Sequence, residues 1–167
     1  MKSSSGDAGA KLSHVDASDS ARMVDVSGKE VTPRMARARG TIRMNSMAFE
    51  AIRRHTIAKG DVVSVARVAG IMAAKKTADL VPLCHPLPLD DVQVEVREDP
   101  ALPGLVAESI VRTTGRTGVE MEAIVAVTVT LVTVYDMAKG VDKEMVIGDI
   151  SLVEKTGGKS GPFRASR

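Results

Sequence analysis

Four groups of residues in this chain combine reactive types with spacings that bring them together. The first is Cys84-His85, the single cysteine beside an imidazole inside the apolar run LVPLCHPLPL, with Pro82 and Pro86 on either side. Each proline fixes its own φ and biases the residue before it towards extended geometry, so Leu83 to Leu87 reads as a rigid wall presenting side chains. A thiolate-imidazole nucleophile needs its two side chains face to face. Neighbours on an extended segment point to opposite sides, which argues against covalent cysteine chemistry. One His and one Cys give a metal two ligands at most, with no C-x-x-C or H-x-x-x-H partner to complete a zinc site. A buried structural pair and a ligand-contacting wall both fit these residues.

The second group is RTTGRTGVEMEA, Arg112 to Ala123, in which Glu120 and Glu122 flank Met121 where a Gly-containing loop meets a helix start. Carboxylates there complement the positive end of a helix, and the open backbone amides suit an anion. Acid-base work, a guanine-like edge, or simple charge complementarity each account for the pair. The third group, YDMAKGVDK, puts Asp136 and Lys139 three residues apart on one helix face, with Lys143 a turn further on. As a surface ion pair it contributes about 0.5 kcal/mol; buried, each charge would tune the other for proton transfer. The fourth group, EKTGGKSG, sets Lys155 and Lys159 among glycines that let backbone amides approach an anion. It is not a Walker A loop, because that pattern needs Gly where Val153 stands and a helix after it. Phosphate contact and a solvated tail are the two readings.

Elements must position these groups. Residues 1–21, rich in Ser, Gly, Ala and Asp, read as a disordered tail that includes His14. Residues 34–44 read as a half-buried strand, and Asn45 or Ser46 caps a short helix over Met47 to Arg54. Asp61 caps a longer helix through about Ala78, with Val62, Val65, Ala66, Val68, Ala69, Met72 and Ala73 as a wide apolar stripe. Val92, Val94 and Val96 alternate with polar residues as a strand, and after a turn at Pro100 to Gly104 the segment Leu105 to Thr113 returns as its hairpin partner. Val119 to Lys139 is rich in β-branched residues yet long and free of Gly and Pro, and is read as a buried helix. Met145 to Glu154 is a last strand before the glycine-rich end. The order β-α-α-β-β-α-β predicts an α+β fold, a ferredoxin-like antiparallel sheet with helices packed on one face.

Composition bounds the function. At 167 residues and 44% hydrophobic content, residues 22–167 read as one domain. Charge is nearly balanced, 23 basic against 21 acidic residues, and aromatics are 2%, so neither a polyanion surface nor base stacking is indicated and no nucleic acid is expected. One cysteine and no leader-like segment predict a cytoplasmic protein. The uncharged stretch from Ala123 to Tyr135 falls short of the roughly 20 residues a membrane span needs.

LVPLCHPLPL, GRTGVEMEA, YDMAKGVDKEMVIGDISL and KTGGKSG, in that order, resemble the MoaC family of molybdenum cofactor biosynthesis. The resemblance runs from Met23-Val24-Asp25-Val26-Ser27 through AKGDVVSVARVAGIMAAKKTADLVPL to Phe163. It implies a ferredoxin-like subunit in a hexamer, a trimer of dimers with sites at subunit interfaces. It also implies a lyase acting on 3',8-cyclo-7,8-dihydroguanosine 5'-triphosphate, which a partner radical cyclase makes from GTP. The product would be cyclic pyranopterin monophosphate, with pyrophosphate released. Such a rearrangement needs proton shuttling and a hydroxyl that displaces pyrophosphate. No cofactor is implied beyond Mg²⁺ carried by the triphosphate.

By the same resemblance Asp136 is the acid-base aspartate, and Lys139 and Lys59 move protons and neutralise charge. Leu83, Cys84, His85, Met121, Glu122, Glu120 and Asp25 border the substrate, and Lys155 and Lys159 meet its phosphates. His55 takes no role. A shared site predicts that a Lys59 variant and an Asp136 variant complement each other in mixed assemblies. Two other readings keep the fold without the chemistry: a nucleotide-binding sensor and a structural oligomerisation module.

Overall fold

The computed structural model describes residues 21–166, so the tail expected over residues 1–21, His14 included, lies outside the described residues apart from Ala21. Period-two burial builds the sheet. In β1 (Thr32–Arg43) Ala36, Ala38 and Ile42 are fully buried, while Arg37, Arg39 and Arg43 take intervening positions on the other face. The predicted hairpin forms as β2 (Asp91–Asp99) and β3 (Gly104–Gly115), in register from Asp91 opposite Arg112 to Asp99 opposite Gly104. β4 (Val146–Thr156) is followed by β5 (Phe163–Arg164), a two-residue edge strand too short for any sequence period to announce. The sheet order is β2-β3-β1-β4-β5, antiparallel at every step. This is the ferredoxin-like layout expected, extended by one short strand.

Helices cover one face. In α1 (Ser46–Arg53) the Asn45 side chain accepts the Ala48 amide at 2.9 Å, and in α2 (Val62–Ala74) Asp61 accepts the Ser64 amide at 3.1 Å. The second helix does not run to Ala78 as predicted. It stops because the Thr77 hydroxyl donates to the Ala74 carbonyl at 3.0 Å, and the chain restarts as the short α3 (Thr77–Leu80). Three of the seven residues of its predicted stripe are also not core: Val65, Val68 and Met72 are exposed, and the buried residues are Val62, Ala66, Gly70, Ala73 and Ala74.

α4 (Glu120–Ala138) resolves the competition between propensity and length in favour of helix. It lies against α2 and against β1, β3 and β4, so Val127, Leu131 and Val134 are wholly buried. Each such side chain contributes about 2 kcal/mol, which outweighs the small helix penalty of β-branched residues. Thr128, Thr130 and Thr133 direct their hydroxyls to the carbonyls four residues back, each at 2.8 Å, so buried polar atoms keep partners. By length and composition α4 could cross a membrane, but 56% of its apolar window is buried inside this fold.

Register gives the sheet two functional ends. β1 starts beside the finish of β3 and of β4, with Arg34 opposite Thr113 and Met35 opposite Thr156. It ends beside their starts, with Arg43 opposite both Gly104 and Val146. α4 begins just after β3, at the first end, and carries the chain back to the second.

Candidate active site

The first end of the sheet opens into a cavity of about 1190 Å³. One wall is the segment before β2. Cys84 turns back to donate its amide to the Val81 carbonyl at 3.0 Å, and Asp90 donates to Arg112 at 2.9 Å, which fastens the wall to β3. Leu83, Cys84, His85 and Leu87 all face the cavity. Cys84 and His85 thus both border the cavity, directly after the turn at Val81–Cys84. No hydrogen bond joins them among the described residues. Burial, with the Glu122 carboxylate adding to it, pushes the Cys84 thiol up and away from thiolate. Cysteine nucleophilicity thus has an electrostatic argument against it beside the directional one.

The start of α4 forms the opposite wall through Glu120, Met121 and Glu122. Glu122 is 4% exposed, and burial raises its carboxyl, with the neighbouring charge of Glu120 acting in the same direction. Glu120 stays half-buried and lies 3.4 Å from the Lys155 ammonium, which arrives on β4. Lys159 and Ser160 follow on the glycine loop, and Gly158, at φ 77°, packs where any β-carbon would strike the Arg34 guanidinium. A strap of residues 24–30 closes the remaining side with Val24, Val26, Lys29 and Glu30. Asp25 is not part of the cavity wall; its carboxylate accepts the Ser27 amide at 2.8 Å, which with minor help from nearby cations lowers its pKa.

The three residues expected to do the proton chemistry are elsewhere. Asp136 lies near the C-terminal end of α4, where one carboxylate oxygen accepts from Lys139 at 2.8 Å and the other from Lys59 at 2.8 Å. Lys59 also donates to the Asp136 carbonyl at 2.8 Å. All three side chains are about half exposed. Hydrogen bonds from Lys139 and then Lys59 hold the Asp136 carboxyl down to about 2, and Asp136 in turn raises Lys139. Sixteen residues of helix separate Glu120 from Asp136, about 24 Å along the axis. One chain therefore brings Leu83, Cys84, His85, Glu120, Met121, Glu122, Lys155 and Lys159 together and keeps Lys59, Asp136 and Lys139 apart from them. Lys59 and Asp136 share an ion pair within one chain, so variants of these two residues damage the same cluster and do not complement each other, contrary to the expectation from the sequence.

The model of the MoaC family matches residues 23–158, most of the chain and every residue of both clusters except Lys159. The chain belongs to the MoaC family. A cyclic pyranopterin monophosphate synthase of Cereibacter sphaeroides is 56% identical over 155 residues, covering 93% of this chain and 98% of that protein. Proteins of the same name from Dinoroseobacter shibae and Brucella ovis are 56% and 53% identical, covering 92% and 93% of this chain and 98% and 94% of their own lengths.

Within this MoaC-family fold, several cavity residues went unnoticed in the sequence. Arg34 is the clearest: its Nε donates to the Gly115 carbonyl at 2.9 Å, and its guanidinium reaches the cavity beside the glycine loop. Arg34, Arg37, Arg39 and Arg43 look alike in sequence, and only the pairing register shows which one meets the site. Lys29, Glu30, Arg116 and Ser160 were missed because they sit in loops whose closeness depends on the sheet. With Lys29, Arg34, Arg116, Lys155 and Lys159 against Glu30, Glu120 and Glu122, the cavity is cationic in balance, as a polyphosphate requires.

Proposed function

We propose that this chain is a cyclic pyranopterin monophosphate synthase, converting 3',8-cyclo-7,8-dihydroguanosine 5'-triphosphate into cyclic pyranopterin monophosphate and pyrophosphate. The observation that carries this is the near full-length identity to proteins of that name, joined to a cationic cavity walled by the buried Glu122 carboxylate and the half-buried His85 imidazole. The substrate places its triphosphate against Arg34, Lys155 and Lys159 and its bridged purine against His85, Met121 and Glu122.

Rearrangement of the purine consists of proton transfers, and ring closure of the phosphate consists of a hydroxyl displacing pyrophosphate from the α-phosphorus. Lys59 and Lys139 supply ammonium donors, and Asp136 holds both in place. A carboxylate held near 2 is a weak base, so Asp136 accepts a proton only once substrate draws the lysines off its oxygens. Any Mg²⁺ enters with the triphosphate.

The reacting atoms cannot touch both ends of α4 at once, so we place the Lys59-Asp136-Lys139 cluster of one subunit against the cavity of a neighbour. A homo-oligomer, which we take to be a hexamer built as a trimer of dimers, is the assembly in which these half-sites meet. We place it in the cytoplasm, downstream of a radical cyclase acting on GTP. The deciding experiment is turnover of the purified bridged substrate, with the pterin product oxidised and read by fluorescence. Absence of product from the assembled protein would sink the proposal.

A further inference from the structure

We propose that Ser160 is a positioning residue for this reaction: its hydroxyl holds the Lys155 ammonium towards the phosphates of the substrate and adds a neutral donor beside it. The inference rests on reading the cavity as the phosphate end of the site. Lys155 Nζ donates to Ser160 Oγ at 2.6 Å and lies 3.4 Å from Glu120 Oε1. An ammonium has three N–H donors and no acceptor, so the serine oxygen is the acceptor and its own hydrogen must turn away from the lysine. Ser160, Lys155 and Glu120 all line the cavity, which leaves that hydrogen free to meet an acceptor bound inside it.

The backbone explains why the hydroxyl stands there. Gly157, Gly158 and Gly161 adopt φ of 87°, 77° and 69°, and the Gly161 amide donates to the Gly158 carbonyl at 3.2 Å. These left-handed steps fold residues 157–161 back over the end of β4, so a side chain five residues after Lys155 returns to it. On the opposite side, the Glu120 carboxylate occupies the space where Gly118 has no β-carbon. Lys155 is thus suspended between a carboxylate and a hydroxyl. Without the hydroxyl, the ammonium is drawn to Glu120 alone, and a phosphate must compete with that ion pair.

Ser160→Ala should raise KM for the bridged triphosphate about tenfold, the worth of a hydrogen bond to a charged group, and leave kcat within about twofold. Ser160→Thr, which keeps the hydroxyl, should restore KM to within about threefold of the parent. Calorimetric titration with inorganic triphosphate reads the same clamp without turnover, and Ser160→Ala should weaken that binding by a similar factor. In a Lys155→Ala background the serine substitution should have a clearly smaller effect, because only the direct donation of the hydroxyl then remains to be lost. Unchanged KM and triphosphate affinity in Ser160→Ala, or an undiminished effect in the Lys155→Ala background, would overturn the proposal. Ser160-dependent triphosphate binding by a protein that fails to turn over the bridged substrate would refute the synthase reading and leave the clamp standing.

Discussion

Asp136 and Glu122 are carboxylates on one helix that their surroundings push in opposite directions. Asp136 is exposed and doubly bonded by lysines, so it stays ionised far into acid. Its contribution to folding is present above its ordinary value of 3.8 and is lost as pH falls from there towards 2. An exposed ion cluster adds little to stability, so Asp136→Asn should melt within about 2 °C of the parent by circular dichroism while losing about 10²–10⁴-fold in turnover. Retained turnover would remove Asp136 from the chemistry. Glu122 is buried and raised, so the sign reverses: its ionisation costs the fold stability as pH rises from 4.5 through the elevated pKa. Glu122→Gln should therefore melt a few degrees higher than the parent at pH 8 and show no gain at pH 4. A gain of equal size at both pH values would contradict desolvation as the cause.

At the scale of elements, what could be read in advance was whatever a local period encodes. Val92, Val94 and Val96 announce β2, and the Asn45 and Asp61 caps announce α1 and α2, because each signal lies within one turn or one strand. The end of α2 could not be read that way, since it depends on a threonine hydroxyl competing for helix carbonyls. Val65, Val68 and Met72 looked like core because helical periodicity records an apolar face without recording what covers it. Of the site, the residues on continuous motifs were visible, whereas Arg34 and Ser160 depend on register and on glycine turns far along the chain. Packing between α2 and α4 gives a direct test. A β-carbon on Gly70 would collide with the Thr130 hydroxyl and come within 2.9 Å of the Ala126 carbonyl. Gly70→Ala should cost about 1–3 kcal/mol in urea unfolding, despite the better helix propensity of alanine. A neutral or stabilising result would show that the two helices can separate without loss.

At the scale of the molecule, the sheet holds the cavity at one end and the Lys59-Asp136-Lys139 cluster at the other. If neighbours join these halves, an Asp136→Asn chain and a Glu122→Ala chain, each inactive alone, should regain roughly a quarter of parental activity when co-assembled at equal amounts. Lys59 and Asp136 variants should not rescue each other, because both belong to the same half-site. The measurement is turnover after co-expression with two different tags and tandem purification, and absence of rescue in the first pair would place the complete site within one chain.

The length of α4 also has a consequence for inheritance. If neighbours share their sites in this way, a copy damaged at one end of this helix spoils one of the two pockets it serves, whereas a copy damaged at both ends spoils two. In a cell expressing normal and defective alleles equally, the first kind would leave about half the pockets intact and the second about a quarter. The helix that sets the distance between two ion clusters would thereby set how dominant a mutation is.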